Sequence, residues 1–90
     1  MTGQPPEPGG CEGCFDSLTA DQKSDFEDYL PKEFSGITTI ELLCTFLRNQ
    51  VLHGIDPNES VSTVGEILDH ARVNQNTISN IKSCMLRAVT

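Results

Sequence analysis

The chain has 90 residues, a net charge of −7 and 37% hydrophobic residues, which is room for one domain. A domain of this size buries only roughly 60% of the surface its unfolded chain exposes, so a deep catalytic pocket is not expected. The excess of acids disfavours non-specific attraction to nucleic acid over the chain as a whole. It is unevenly spread: ten of the thirteen acids lie in residues 1–57, whereas Arg72 to Thr90 contains three bases (Arg72, Lys82, Arg87) and no acid.

The opening MTGQPPEPGG has neither a basic region nor an apolar run, so no secretory leader is expected. Residues 1–14, rich in Pro, Gly and Glu, read as a disordered tail ahead of a single helical domain over residues 15–90. The most apolar stretch, Ile37 to Leu52, is broken by Glu41, Arg48, Asn49 and Gln50. It is too short and polar to span a bilayer. A cytoplasmic protein without a membrane partner is expected, and there the four cysteines would be free thiols or metal ligands. Cys11 and Cys14 form a C-x-x-C, half of a tetrahedral zinc site. A second pair is missing, so a zinc site or a regulatory disulfide, either of which would make Cys11 and Cys14 a switch, stands beside the plainer reading of incidental thiols.

A first helix is expected from Ala20 to Leu30. Thr19 and Gln22 make a capping box, and Pro31 ends the helix because the residue before a proline avoids the helical region. A second runs from Thr39 to His53, with Thr38 and Glu41 as its capping pair and Ile37 and Leu42 at the positions of a hydrophobic staple. Ile40, Leu43, Cys44, Leu47 and Val51 form its apolar stripe, and Gly54 suits a left-handed stop. A turn through Asp56, Pro57 and Asn58 leads to a short third helix, Val64 to His70, opened by Thr63 and Glu66. Asn74 caps a fourth, Gln75 to Ala88, with Ile78, Ile81, Met85 and Val89 along one face. The fold class is all-α: a small bundle of four to five short helices.

The last two helices form a hairpin of helix-turn-helix type. Ile67, Leu68 and Ala71 pack the first helix, Val73 plugs the turn, and Ile78 and Ile81 anchor the second from beneath. Gln75, Asn76, Ser79 and Asn80 then face outward near its amino end. Asn and Gln can pair with adenine in the major groove, and Arg72, Lys82 and Arg87 can hold phosphates. The run NQNTISNIKSCMLRAV resembles the recognition and closing helices of the LuxR/GerE-type DNA-binding domains of bacterial transcription regulators. The matching features are Val73 before the cap, the pair Thr77 and Ile78, then Asn80, Ser83, Met85, Leu86 and Arg87, within residues 63–89. Leu68 stands where the family has a small residue, and Arg72 where it often has Gly or His.

The resemblance implies a small DNA-binding transcriptional regulator, dimeric because one short recognition helix supplies few contacts. A second reading is an acidic helical regulator that binds a protein, an inhibitor or adaptor of a transcription or nucleic-acid-processing protein, through the acids between Asp16 and Glu33. No carboxylate pair, Gly-rich phosphate loop or nucleophile with a base stands out, so no enzymatic activity is expected.

Overall fold

The computed structural model describes residues 10–90, which form five α-helices and no strand. They are α1 (Gly10–Gly13), α2 (Ala20–Glu33), α3 (Ile40–Leu52), α4 (Asn58–His70) and α5 (Gln75–Val89). The small all-α bundle expected from the sequence is what the chain forms. Of the expected tail, residues 1–9 lie outside the described residues. Residues 10–14 differ from the expectation: Gly10–Gly13 form α1, Cys14 begins the turn after it, and both cysteines are buried.

Two covalent bonds account for that. Cys11 is bonded to Cys44 on α3, and Cys14 to Cys84 on α5, with Cα–Cα separations of 5.8 and 5.7 Å. The i, i+3 spacing sets both sulfurs on one side of a single helical turn, so α1 bridges α3 and α5. The cysteines are therefore neither free thiols nor metal ligands here. Among the described residues no group of three or more His, Cys, Asp or Glu side chains is arranged to hold a metal ion. The bridges close stretches separated by 33 and 70 residues. Constraining the unfolded chain over such lengths is worth roughly 4 kcal/mol each when taken singly, a large share of what a domain this small can have.

Each helix starts and stops for local reasons, several of them visible in the sequence. Thr19 Oγ1 accepts from the Gln22 backbone N–H at 3.1 Å, and the Thr19 N–H donates to Gln22 Oε1 at 3.0 Å, completing the capping box of α2. This helix runs through Pro31 to Glu33 instead of ending at Leu30. Proline removes one donor, but the Phe34 N–H closes on the Leu30 carbonyl at 2.8 Å and fully buried Leu30 anchors the turn. The cap of α3 is Thr39, one residue later than expected: its Oγ1 accepts from the Leu42 N–H at 3.1 Å. Glu27 of α2 accepts from the Ile40 N–H at 2.9 Å, so one acid of α2 serves the amino end of α3. The shift removes Ile37 and Leu42 from staple register, and Leu42 is exposed.

At the end of α3, Gly54 is left-handed (φ 76°). Its N–H donates to the Val51 carbonyl and that of Ile55 to Gln50, a Schellman stop. Helix α4 begins at Asn58, six residues before the expected Val64. Asp56 Oδ1 accepts from the Asn58 N–H at 3.0 Å and opens it. Thr63 is inside the helix, its hydroxyl donating back to the Glu59 carbonyl at 3.3 Å, so it caps nothing.

One apolar cluster fills the space between the helices. Phe15, Phe26, Leu30, Leu43, Leu47, Val64, Leu68 and Met85 are fully buried, with Val61, Ile67 and Ile81 nearly so. Phe15, just after α1, packs on Phe26 with ring centroids 5.2 Å apart. No polar or charged residue is buried among the described residues, so the core specifies shape without an internal polar network. The main packing partner of α5 is α4, which α2 in turn packs against.

Candidate nucleic-acid interface

Helices α4 and α5 are joined by four residues, Ala71 to Asn74. Ala71 and Val73 are buried in the turn, as expected. The Arg72 N–H donates to the Asp69 carbonyl at 3.0 Å and the Val73 N–H to Leu68 at 3.1 Å, a second Schellman stop. Its left-handed position is held by Arg72 (φ 66°), a residue with a Cβ where glycine is usual. Asn74 then caps α5, its Oδ1 accepting from the Thr77 N–H at 3.1 Å. Ile78, Ile81, Met85 and Val89 are buried at helical spacing, which leaves the opposite face of α5 to solvent.

Gly65 sets how closely the two helices meet. A Cβ built there would lie 2.9 Å from Lys82 Cδ and 3.6 Å from Ile78 Cγ2. The Lys82 stem therefore lies across α4. It lines a groove of about 310 Å³ together with Glu66, Asp69 and Gln75. Gln75 Nε2 donates to Asp69 Oδ1 at 3.0 Å.

The six residues singled out in the sequence thus fall into three places. Arg72 is exposed in the turn. Gln75 and Lys82 border the α4 groove, next to acids. Asn76 and Ser79 are exposed on the outward face. Asn80 is exposed on the other flank, where a groove of about 440 Å³ runs between α5 (Asn80, Ser83, Arg87) and the α1 segment (Gly13, Asp16, Ser17). The i+4 steps from Ser79 to Ser83 and from Ser83 to Arg87 extend the polar face by two turns. Ser83, marked in the sequence only as part of the LuxR/GerE-like run, joins this face because it lies one turn past Ser79. Asp16 was not expected there at all, because nothing local brings α1 to α5.

The acidic helix α2 has α4 as its main partner. Its amino end comes near the turn, where Gln22 Nε2 donates to the Arg72 carbonyl at 3.5 Å. Tyr29 of α2 stacks on His70 of α4 with ring centroids 4.6 Å apart. Carboxylates border α5 on both flanks, Glu66 and Asp69 on one and Asp16 on the other.

Elsewhere, Phe34, Ile37, Leu42 and Phe46 line an apolar groove of about 300 Å³ beside α3. Leu52, the last residue of α3, and Ile55 just beyond it are 79% and 52% exposed. No helix among the described residues is long and apolar enough to cross a membrane.

Compared with known proteins, the chain matches no family model and has no significant match to a curated protein or a solved structure.

Proposed function

We propose that the chain is a small DNA-binding transcriptional regulator that reads duplex DNA with the outward face of α5. The observation that carries this reading is the α4–turn–α5 hairpin. A four-residue turn with buried Val73 and left-handed Arg72 leads into a helix whose exposed amino half carries Gln75, Asn76, Ser79 and Asn80. Asn76 and Asn80 are amides on the outward side of α5, suited to paired hydrogen bonds with adenine. Arg72, Lys82 and Arg87 supply the phosphate contacts. The resemblance of residues 63–89 to LuxR/GerE-type domains points the same way.

Magnitudes favour a dimer. Three phosphate contacts per protomer give a slope of log affinity against log salt of about −3, and two protomers about −5. One protomer with so few contacts would hold DNA weakly at physiological salt, whereas two half-sites reinforce each other. The test is fluorescence anisotropy with a random duplex pool, titrated with salt. Asn76→Ala should weaken binding to the preferred site by about 1–3 kcal/mol, and Lys82→Ala should reduce the salt slope by about one. Unchanged binding in both variants would sink the assignment.

A second reading, binding to a protein partner, is favoured by a separate observation. The apolar groove of Phe34, Leu42 and Phe46 and the exposed Leu52 and Ile55 all belong to or flank α3, and exposed apolar surface of this kind marks association sites. Folded protein that ignores DNA at low salt would favour this reading.

A further inference from the structure

We propose that the Cys14–Cys84 bridge is a thiol-exchangeable clamp that holds the α1 segment, with Asp16, against the DNA-reading face of α5. The inference rests on the DNA-binding reading and adds a mode of regulation to it. Cys84 lies on α5 one residue past Ser83 and one turn past Asn80, and both of these line the groove that α1 borders. The bridge therefore fixes the width of that groove. Closed, it keeps Asp16 on the wall of the groove whose other side carries Asn80, Ser83 and Arg87, so a phosphate approaching that side would meet a nearby negative charge.

The two bridges differ in access. Cys11 and Cys44 are both fully buried, whereas Cys14 retains 8% exposure and Cys84 is half-buried at the rim of the groove. Of the two, Cys14–Cys84 is the less deeply buried and so the more open to thiol exchange. A cellular dithiol supplies the reaction. One of its thiolates attacks Cys84 Sγ and expels the Cys14 thiolate. Its second sulfur then displaces Cys84 and closes a ring disulfide. The two dithiol protons end on Cys14 and Cys84, and the dithiol carries the oxidation away. A four-residue helix has no stability of its own, so α1 loosens from α5 while Cys11–Cys44 still tethers it.

The test uses the oxidised full chain in dithiothreitol buffers of graded ratio, quenched by alkylation and read by mass spectrometry, with anisotropy on the duplex pool for each state. Cys14 and Cys84 should alkylate before Cys11 and Cys44, and the singly opened species should bind DNA about fourfold more tightly at low salt. That factor is the effect of removing one carboxylate about 5 Å from one phosphate in water. Asp16→Asn should give the oxidised protein most of the same gain without touching the bridge. The double variant C14S/C84S, checked for helicity by circular dichroism, should bind as the opened form with or without dithiol. Simultaneous opening of both bridges, or equal affinity of the closed and opened forms, would overturn the clamp and leave the DNA reading standing. Absence of DNA binding in every form would overturn both.

Discussion

Gly65 of α4 lies beneath the Lys82 stem of α5, with room for hydrogen but not for a methyl group: a Cβ would stand 2.9 Å from Lys82 Cδ. The atom in the way is far out on a flexible side chain, so Gly65→Ala should fold. Alanine gains up to about 1 kcal/mol of helix propensity over glycine, and moving the lysine stem offsets part of it. Urea denaturation should show stability unchanged or raised by less than about 1 kcal/mol. The Lys82 ammonium should leave the groove it shares with Glu66 and Asp69, and the salt slope of DNA binding should change although no charge was removed.

Arg72 allows stability and binding to be separated. A left-handed residue with a Cβ costs roughly 1 kcal/mol, so Arg72→Gly should raise the thermal midpoint. The same change removes a phosphate contact, so the salt slope should fall by about one. A raised midpoint with an unchanged salt slope would mean that the arginine has no part in binding.

Asn74→Ala deletes the side-chain acceptor of the Thr77 N–H. Loss of such a cap costs about 1 kcal/mol, and it acts on the end of α5 that carries Gln75 and Asn76. Thermal denaturation should show the loss, and hydrogen exchange should localise it to the first turn of α5.

Leu68 is fully buried where α4 meets the core. Leu68→Ala should cost about 2–5 kcal/mol, measured by urea denaturation of the oxidised protein. Full reduction of wild type should lower its stability by several kcal/mol in the same assay, because both chain closures are lost. A reduced protein as stable as the oxidised one would show that α1 is held by packing alone.

What was legible in the sequence was what is decided locally. Thr19 with Gln22, Gly54 and Asn74 act through neighbours within a few residues, and each performs the role its sequence position suggests. The buried stripe of α5 follows from its 3.6-residue period. Less legible were features decided by competition or by distance. Pro31 looked like a terminator, but burial of Leu30 carries the helix one turn further. The segment from Asn58 to Thr63 is rich in residues of low helix propensity, so the start of α4 was hidden, although Val61 already begins its buried stripe. Residues 10–14 had the composition of a tail. Only the meeting of Cys11 with Cys44 and of Cys14 with Cys84, across 33 and 70 residues, makes them structure. For the same reason the outward residues of α5 could be named in advance, but not Asp16 after α1 and the acids of α4 that border them.

The most direct test is salt-titrated anisotropy of the wild-type protein against a random duplex pool, beside the double variant N76A/N80A. Both residues are exposed on α5, so the variant should fold normally. Wild-type binding is expected to weaken steeply with salt and to select a preferred site. The variant should keep the salt slope but lose the preference. A folded wild type with no affinity for DNA at low salt, or a variant that selects the same site equally well, would contradict the reading of α5 as the DNA-recognition helix.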